Sequence, residues 1–512
     1  MKKTLLILAF ALIQLTTLAQ APAIQWQKCM GGTGNEYSQS IKPTPDGGYI
    51  VAGCTGSNNG DVAVNHGGYD VWVVKIAAIG TIEWQKTFGG SNDEYAQEIQ
   101  FTPDGGYIVA GYTGSIDGDV TGNHGYTDFW VVKLSATGDL IWQKVLGGTN
   151  DEQANSIQIS SDGGYIIAGF TNSTDGDVTG NHGSRDAWIV KLTATGTLVW
   201  QKTLGGSYDE EAYSIKSTSD GNYIVSGYTN SINGDVIMNH GYEDAWVVKL
   251  DATGALVWQN TLGGTGSDFA DYIQTTPDGG YILVGSTSSN DGDATGFHGG
   301  FSDAWIVKLS ATGTLVWQNT VGGTGYEFFL SIQYTADGGY ILGGTSTSNN
   351  GDVATNHGSE DAWIMKLSAN GILVWQKSIG GTDYDRGNNI QLTSDGGYIF
   401  AGNSSSSNGD VTGNHGGSDV WVVKLGTDLA ITGFSENAVV VYPNPASTLL
   451  TVKNNSNTSI DSITITDIMG KVVLTQKTSN TNSINVASLA CGTYLLEATS
   501  GKDQFTSKFV KE

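Results

Sequence analysis

Apolar and polar residues alternate along most of this chain with a period of two, and the alternating runs are short. SIQIS (156–160) and YIIAGF (165–170) flank SDGG, while WVVKL (130–134) and runs of the type TLVWQKTLGG (197–206) flank turns such as SATG (135–138). Alternation over five to eight residues, rich in Val, Ile, Tyr and Trp and bounded by Gly, Asp and Ser, predicts β-hairpins rather than helices. Each stretch holding both hairpins therefore predicts a four-stranded antiparallel sheet.

The stretch recurs. The seven histidines are His66, His124, His182, His240, His298, His357 and His415, at spacings of 58, 58, 58, 58, 59 and 58. The fourteen tryptophans keep the same period in two series, Trp72 to Trp421 and Trp26 to Trp375. DGGYI-like phrases begin at Asp46, Asp104, Asp162, Asp220, Asp278, Asp337 and Asp395. A four-stranded unit of this length is the size of a propeller blade. One blade cannot cover both of its faces, but seven packed radially can.

The ends of the repeat region fix its closure. Inside the region, WVVKL is always followed by its hairpin partner LVWQK. The region begins with the partner alone, IQWQK (24–28), and ends with the first strand alone, VWVVKL (420–425). The two orphans complete each other if the ring closes, which also removes open sheet edges. The sequence thus predicts an all-β chain, with a closed seven-bladed β-propeller over residues 20–425.

Composition narrows the function. Lys and Arg number 24 against 50 Asp and Glu, so the formal charge is 24 − 50 = −26. Nucleic-acid binding, which needs clustered cations, is disfavoured, and an acidic surface suits solubility and cation binding. Residues 1–19, MKKTLLILAFALIQLTTLA, show two lysines, an apolar run and a small-residue cleavage pattern, which reads as an export signal. No later run is long and apolar enough to span a bilayer. Of Cys29, Cys54 and Cys491, the first two can pair if their strands are neighbours, a question of geometry.

Three acids recur in each repeat. The first follows Asx-Gly: Asp61, Asp119, Asp177, Asp235, Asp293, Asp352 and Asp410. The second follows the histidine: Asp70, Asp128, Asp186, Asp244, Asp303, Asp361 and Asp419. Two readings stand for these sets. They are weak calcium ligands, because hard cations want several oxygens on tight turns. Alternatively they are structural latches, in which Asp or His bonds backbone amides or the neighbouring Trp indole. Zinc is disfavoured by one His per unit and no nearby Cys. The third set, Glu36, Glu94, Glu152, Glu210, Asp268, Glu327 and Asp385, reads as turn residues. Seven equivalent acids cannot push two pKa values apart as a glycosidase pair requires. The residues that break the symmetry, Arg185, Phe328 with Phe329, and Arg386 with Asp383 and Asp385, form no recognisable catalytic constellation.

Two resemblances add to this reading. KLDATGALVWQ (249–259) and its equivalents resemble the tryptophan-docking hairpins of quinoprotein propellers and their noncatalytic relatives, which implies that the Trp26-to-Trp375 series locks adjacent blades. No set for a quinone cofactor accompanies it, and two arginines are too few for a sialidase-type site. After a linker at 426–438, residues 439–512 read as alternating strands, enough for a small Ig-like β-sandwich. There, Tyr442-Pro443-Asn444-Pro445, Gly470 with Lys471, Gly492 with Tyr494, and the closing Lys508-Phe509-Val510-Lys511 resemble the type A C-terminal sorting domain of the type IX secretion system. That resemblance implies a Bacteroidota-type bacterium, secretion machinery as a partner, and release or surface attachment outside the cell. The expected function is a non-catalytic, monomeric propeller that binds a glycan or protein ligand or acts as a scaffold. It needs no cofactor unless calcium is bound. The alternative is an extracellular hydrolase or lyase with its site in the central channel.

Overall fold

The structure is a computed structural model that describes residues 19–428, 439–454, 460–467, 471–477, 483–500 and 503–512. The export signal through residue 18, most of the linker, and Gly470 lie outside the described residues. The chain divides into two compact units, Met1–Asp428 and Leu429–Glu512.

The first unit contains seven four-stranded antiparallel sheets. In six of them the strands follow in chain order, as in Glu36–Pro43, Tyr49–Thr55, Asp70–Ile76 and Ile82–Phe88. The seventh combines Asp385–Leu392, Tyr398–Ser404 and Asp419–Leu425 with the first strand of the chain, Ile24–Met30. Trp26 stands opposite Lys424 and Cys29 opposite Trp421, so the two orphan strands do close the ring. The first strand of each sheet contacts the first strands of its two neighbours, including Glu36–Pro43 against Asp385–Leu392. These seven inner strands surround the channel.

The core lies between blades. Each sheet buries both faces: Asp70–Ile76 is buried at every position. Trp72 is 1% exposed and its indole donates to Gln85 Oε1 at 2.8 Å, a pairing repeated down to Trp421 with Gln27. The indole partner is thus a glutamine on the next strand, not the Asp or His that a latch to tryptophan would require. The second tryptophan series docks between blades. Trp26 donates to Ala78 O at 3.1 Å, and its ring lies where a Cβ on Gly80 (φ +83°) would stand, 2.9 Å away. Only glycine accepts both that φ and that contact.

Lysines on the third strands reach back to the DGG turns, as Lys75 does to Asp46 at 2.9 Å. Cys29 and Cys54 fall in different sheets and both are free, so no disulfide joins them. Burial pushes the Cys29 thiol up to about 12 and raises Cys54 as well, which keeps both protonated.

The second unit packs a three-stranded sheet (Val439–Tyr442, Leu449–Asn454, Ser483–Asn485) and a four-stranded sheet (Ser462–Asp467, Val472–Lys477, Gly492–Ser500, Asp503–Lys511) around Leu450, Val452, Ile463, Leu496 and Phe509. No helix of the described residues is long and apolar enough to cross a membrane.

Candidate functional site

The recurrent acids converge at the blade junctions. Asp128 Oδ2 accepts hydrogen bonds from the His124 backbone N–H at 2.9 Å and from His124 Nδ1 at 2.7 Å. The Asx-Gly-Asp acids bind a neighbouring turn: Asp61 donates its N–H to Gly31 O at 2.8 Å and accepts the Gly31 N–H at 3.3 Å. The third set is buried and saturated. Glu36 accepts the Gly32 N–H at 2.8 Å on one oxygen and the Thr55 hydroxyl at 2.8 Å on the other.

Asp70 does not face the acids of its own repeat. Its acidic neighbours are Glu94 and Asp119 of the following one. A Cβ placed on Gly89 would lie 2.4 Å from Glu94 Oε2 and 2.7 Å from Asp70 Oδ1, so glycine makes the space in which two carboxylates meet. In all seven repeats this Asp Oδ1 is buried without a hydrogen-bond partner: Asp70, Asp128, Asp186, Asp244, Asp303, Asp361 and Asp419. Burial raises every one of these carboxyls, and Asp128 reaches about 6 despite its histidine. Among the described residues no group of three or more His, Cys, Asp or Glu stands where it could hold a metal ion.

The channel is where the blades differ. Every inner strand carries a β-bulge, which in the first blade falls between Ser38 and Ser40. Opposite it stands Gly53, where a Cβ would lie 1.8 Å from the Tyr37 carbonyl oxygen, and an equivalent glycine recurs in every blade. A bulge leaves one residue unpaired and re-aims its side chain. Here those residues are Gln39, Gln97, Asn155, Tyr213, Asp271, Leu330 and Asn388, one from each blade, and together they line a cavity of about 240 Å³. Three of them offer polar groups that make no hydrogen bond within the protein: the Gln97 amide, the Asp271 carboxyl and the Tyr213 hydroxyl. The crowding of protein around Asp271 pushes its carboxyl up to about 7.

The next layer ties the blades together. Glu98 Oε2 accepts the Ser156 hydroxyl at 2.6 Å and the Ile157 N–H at 2.9 Å. Its Oε1 accepts from Gln100 at 2.7 Å and Gln158 at 3.2 Å, and faces Lys42 at 3.5 Å. Burial opposes its charge, but Lys216, Lys42 and these donors hold Glu98 below the ordinary glutamate value. Lys216 lies 4.2 Å from the Tyr272 ring centroid, a cation–π contact. This ring of bulged residues lies outside every motif that recurs in the repeats. Its visible signals are the glycine in each YIVAG-type strand, and a column of differing residues two places before a constant isoleucine, Ile41 in the first repeat and Ile390 in the last.

The tail brings its motif residues together. Asn444 Oδ1 accepts the Val510 N–H at 2.9 Å, and Ala446 bonds the backbone of Val510 and Glu512 at 2.8 and 3.0 Å. The Tyr442-Pro443-Asn444-Pro445 loop is therefore fastened to the closing Lys508–Lys511 strand. Tyr494 stacks on Phe509 with centroids 5.6 Å apart and donates to Ala490 O at 2.9 Å. Gly492 stands opposite Lys511 at the start of the paired strand.

Comparison with known proteins matches the C-terminal unit to a family. Residues 440–512 match the family described as the secretion system C-terminal sorting domain. The Regulatory protein FlaEY of Caulobacter vibrioides is 22% identical over 273 residues, covering 47% of this chain and 28% of that relative. This chain therefore spans well under half of that curated relative's length. The Pan2 WD40 domain of Neurospora crassa aligns with a TM-score of 0.43 at 12% identity, over 77% of this chain and 95% of its own. The extracellular domain of a hybrid two-component system from B. thetaiotaomicron aligns with a TM-score of 0.43 at 12% identity, over 96% of this chain and 60% of its own. The propeller itself is established by strand pairing and closure within this chain. The C-terminal unit is a type IX C-terminal sorting domain, and it marks the seven-bladed propeller it follows for export to the cell surface or beyond.

Proposed function

We propose that the exported propeller is a non-catalytic binding module for an extracellular glycan or protein, with the channel as its recognition site. The observation that carries this reading is the bulge ring, where otherwise repetitive blades present seven largely different side chains to one cavity. Binding sites are built this way, as a rigid scaffold with a few convergent polar groups. The junction acids belong to the scaffold in this reading, as latches that hold turn amides and histidines.

Hydrolysis in the channel is the second reading, favoured by two carboxyls in one cavity. Asp271 is raised and Glu98 lowered, the divergence that acid and base roles need. Both Glu98 oxygens are already engaged by hydrogen-bond donors, however, which leaves no lone pair aimed at a substrate. A glycan-array and hydrolase-substrate screen of residues 20–512 separates the two. Retention without turnover supports the binding module. Turnover that disappears in Asp271→Asn establishes the enzyme, and neither retention nor turnover leaves a scaffold.

A further inference from the structure

We propose that the bulge-ring cavity is a subsite for one neutral sugar ring, taken up end-on as the terminal unit of a glycan. This rests on the binding-module reading and names its ligand class.

Size is the first constraint on the ligand. At about 30 Å³ per liquid water, a cavity of about 240 Å³ holds on the order of eight waters. That suits a compact ligand of roughly monosaccharide size and excludes a folded peptide segment. Chemistry comes next. Carboxamides dominate the wall, with Gln39, Gln97, Asn155 and Asn388 in the bulge ring and Asn389 beside them. Each amide offers donors and an acceptor, the mixed complement that vicinal hydroxyls require and that a simple cation or anion does not.

Not all of these groups are free. Asn155 donates to Ala212 O at 3.0 Å and Asn388 to Ser38 O at 2.7 Å, so part of their capacity serves to join blades. Gln97, Asp271 and Tyr213 have no such duty and present their polar atoms to the cavity. Tyr213 and Tyr272 add ring surface to the wall, and Leu330 adds an apolar edge, which suits the C–H faces of a pyranose.

Charge completes the assignment. The bulge ring holds no cation, and its one carboxyl, Asp271, has Tyr213 as its titratable neighbour on the adjacent inner strand. Beneath it, Lys42 and Lys216 are set against Glu98. Two lysines and two acids give no strong net field, so neither an anionic nor a cationic ligand is selected.

The test uses the exported chain, residues 20–512, with ligand-observed saturation-transfer NMR followed by calorimetry. The probes are glucose, galactose, mannose and N-acetylglucosamine, with glucuronate and glucosamine as charged comparators. The expected result is binding of at least one neutral sugar, weakened fivefold or more by Gln97→Leu and by Asp271→Leu and largely retained by Asp271→Asn. Leu330→Phe, which narrows the cavity without removing a hydrogen bond, should also weaken it. Melting curves within about 2 °C of wild type establish that these variants fold. Binding by none of the neutral sugars, tighter binding of a charged comparator, or affinity unchanged in the folded variants overturns the subsite. If intact glycans are still retained on an array in that event, the binding-module reading survives; if nothing is retained, both fall.

Discussion

The junction aspartates make a quantitative prediction, and Asp128 is its best test. Its carboxyl is fully buried, one oxygen accepts two bonds from His124, and the other has no partner beside Glu152. A carboxyl raised from 3.8 to about 6 disfavours the ionised folded form by about 3 kcal/mol. The folded state then binds more protons than the unfolded one between these two values, so stability falls as pH rises through that window and the loss is complete above about 6. Asp128→Asn removes the charge, keeps an oxygen for His124 and turns an N–H donor toward Glu152. About 2 kcal/mol of this is lost between pH 4.5 and pH 8, and with an unfolding entropy of about 2.1 cal/mol/K per residue over roughly 400 residues that corresponds to about 2 °C in Tm. Calorimetry at pH 4.5 and pH 8 on wild type and variant should show the variant gaining about 2 °C relative to wild type on going to the higher pH. A gap that stays constant or moves the other way refutes the reasoning. If added calcium erased the variant's advantage at pH 8 and chelator restored it, a cation and not a proton would be neutralising the orphan oxygen.

The opposite limb belongs to the hairpin acids. Asp46, Asp104, Asp278 and Asp395 are held down to about 2, so their contribution is present above the unfolded value of 3.8 and is lost as pH falls through about 2. Because these carboxylates are more than half exposed, each contributes well under 1 kcal/mol. Together with the junction acids they place the Tm maximum near the shared unfolded value of 3.8, and Lys133→Met should flatten the acid limb in a pH-resolved melting series. Deleting residues 20–30 removes the fourth strand of the closing blade and exposes the edge of Asp419–Leu425. That chain should elute as oligomers or aggregate on size exclusion, and a stable monomer with unchanged Tm would contradict ring closure as a structural requirement. In the tail, Asn444→Ala removes the side-chain bond that helps fasten the Tyr-Pro-Asn-Pro loop to Val510. Surface or medium export, followed by immunoblotting of cell fractions, should drop while propeller Tm stays the same.

The sequence made the propeller legible because closure is written in phase: a strand that opens the region without its partner and a strand that ends it without one can satisfy their edges only by meeting. Tryptophan docking was legible for a similar reason, since each Trp and each turn glycine recur at one spacing and fit nothing else at that distance. The junction acids were legible as a set but not as a site. Asp70 meets Glu94 and Asp119 across a blade boundary, and a single repeat, however well aligned, does not contain its own neighbour. The channel was hidden for the opposite reason. A search for periodicity rewards what stays constant, whereas the bulged positions at Gln39, Gln97, Asn155, Tyr213, Asp271, Leu330 and Asn388 are conspicuous only by failing to repeat. The bulge also moves one residue out of strict alternation, so a period-two reading assigns its side chain to the wrong face. Gly53 and its equivalents were the local sign, because a strand glycine opposite a crowded carbonyl marks the place where pairing breaks. In a repeat protein the scaffold is therefore read from the constant columns, and the place to look for chemistry is the column where the scaffold's own geometry releases a residue from pairing and the repeats then diverge.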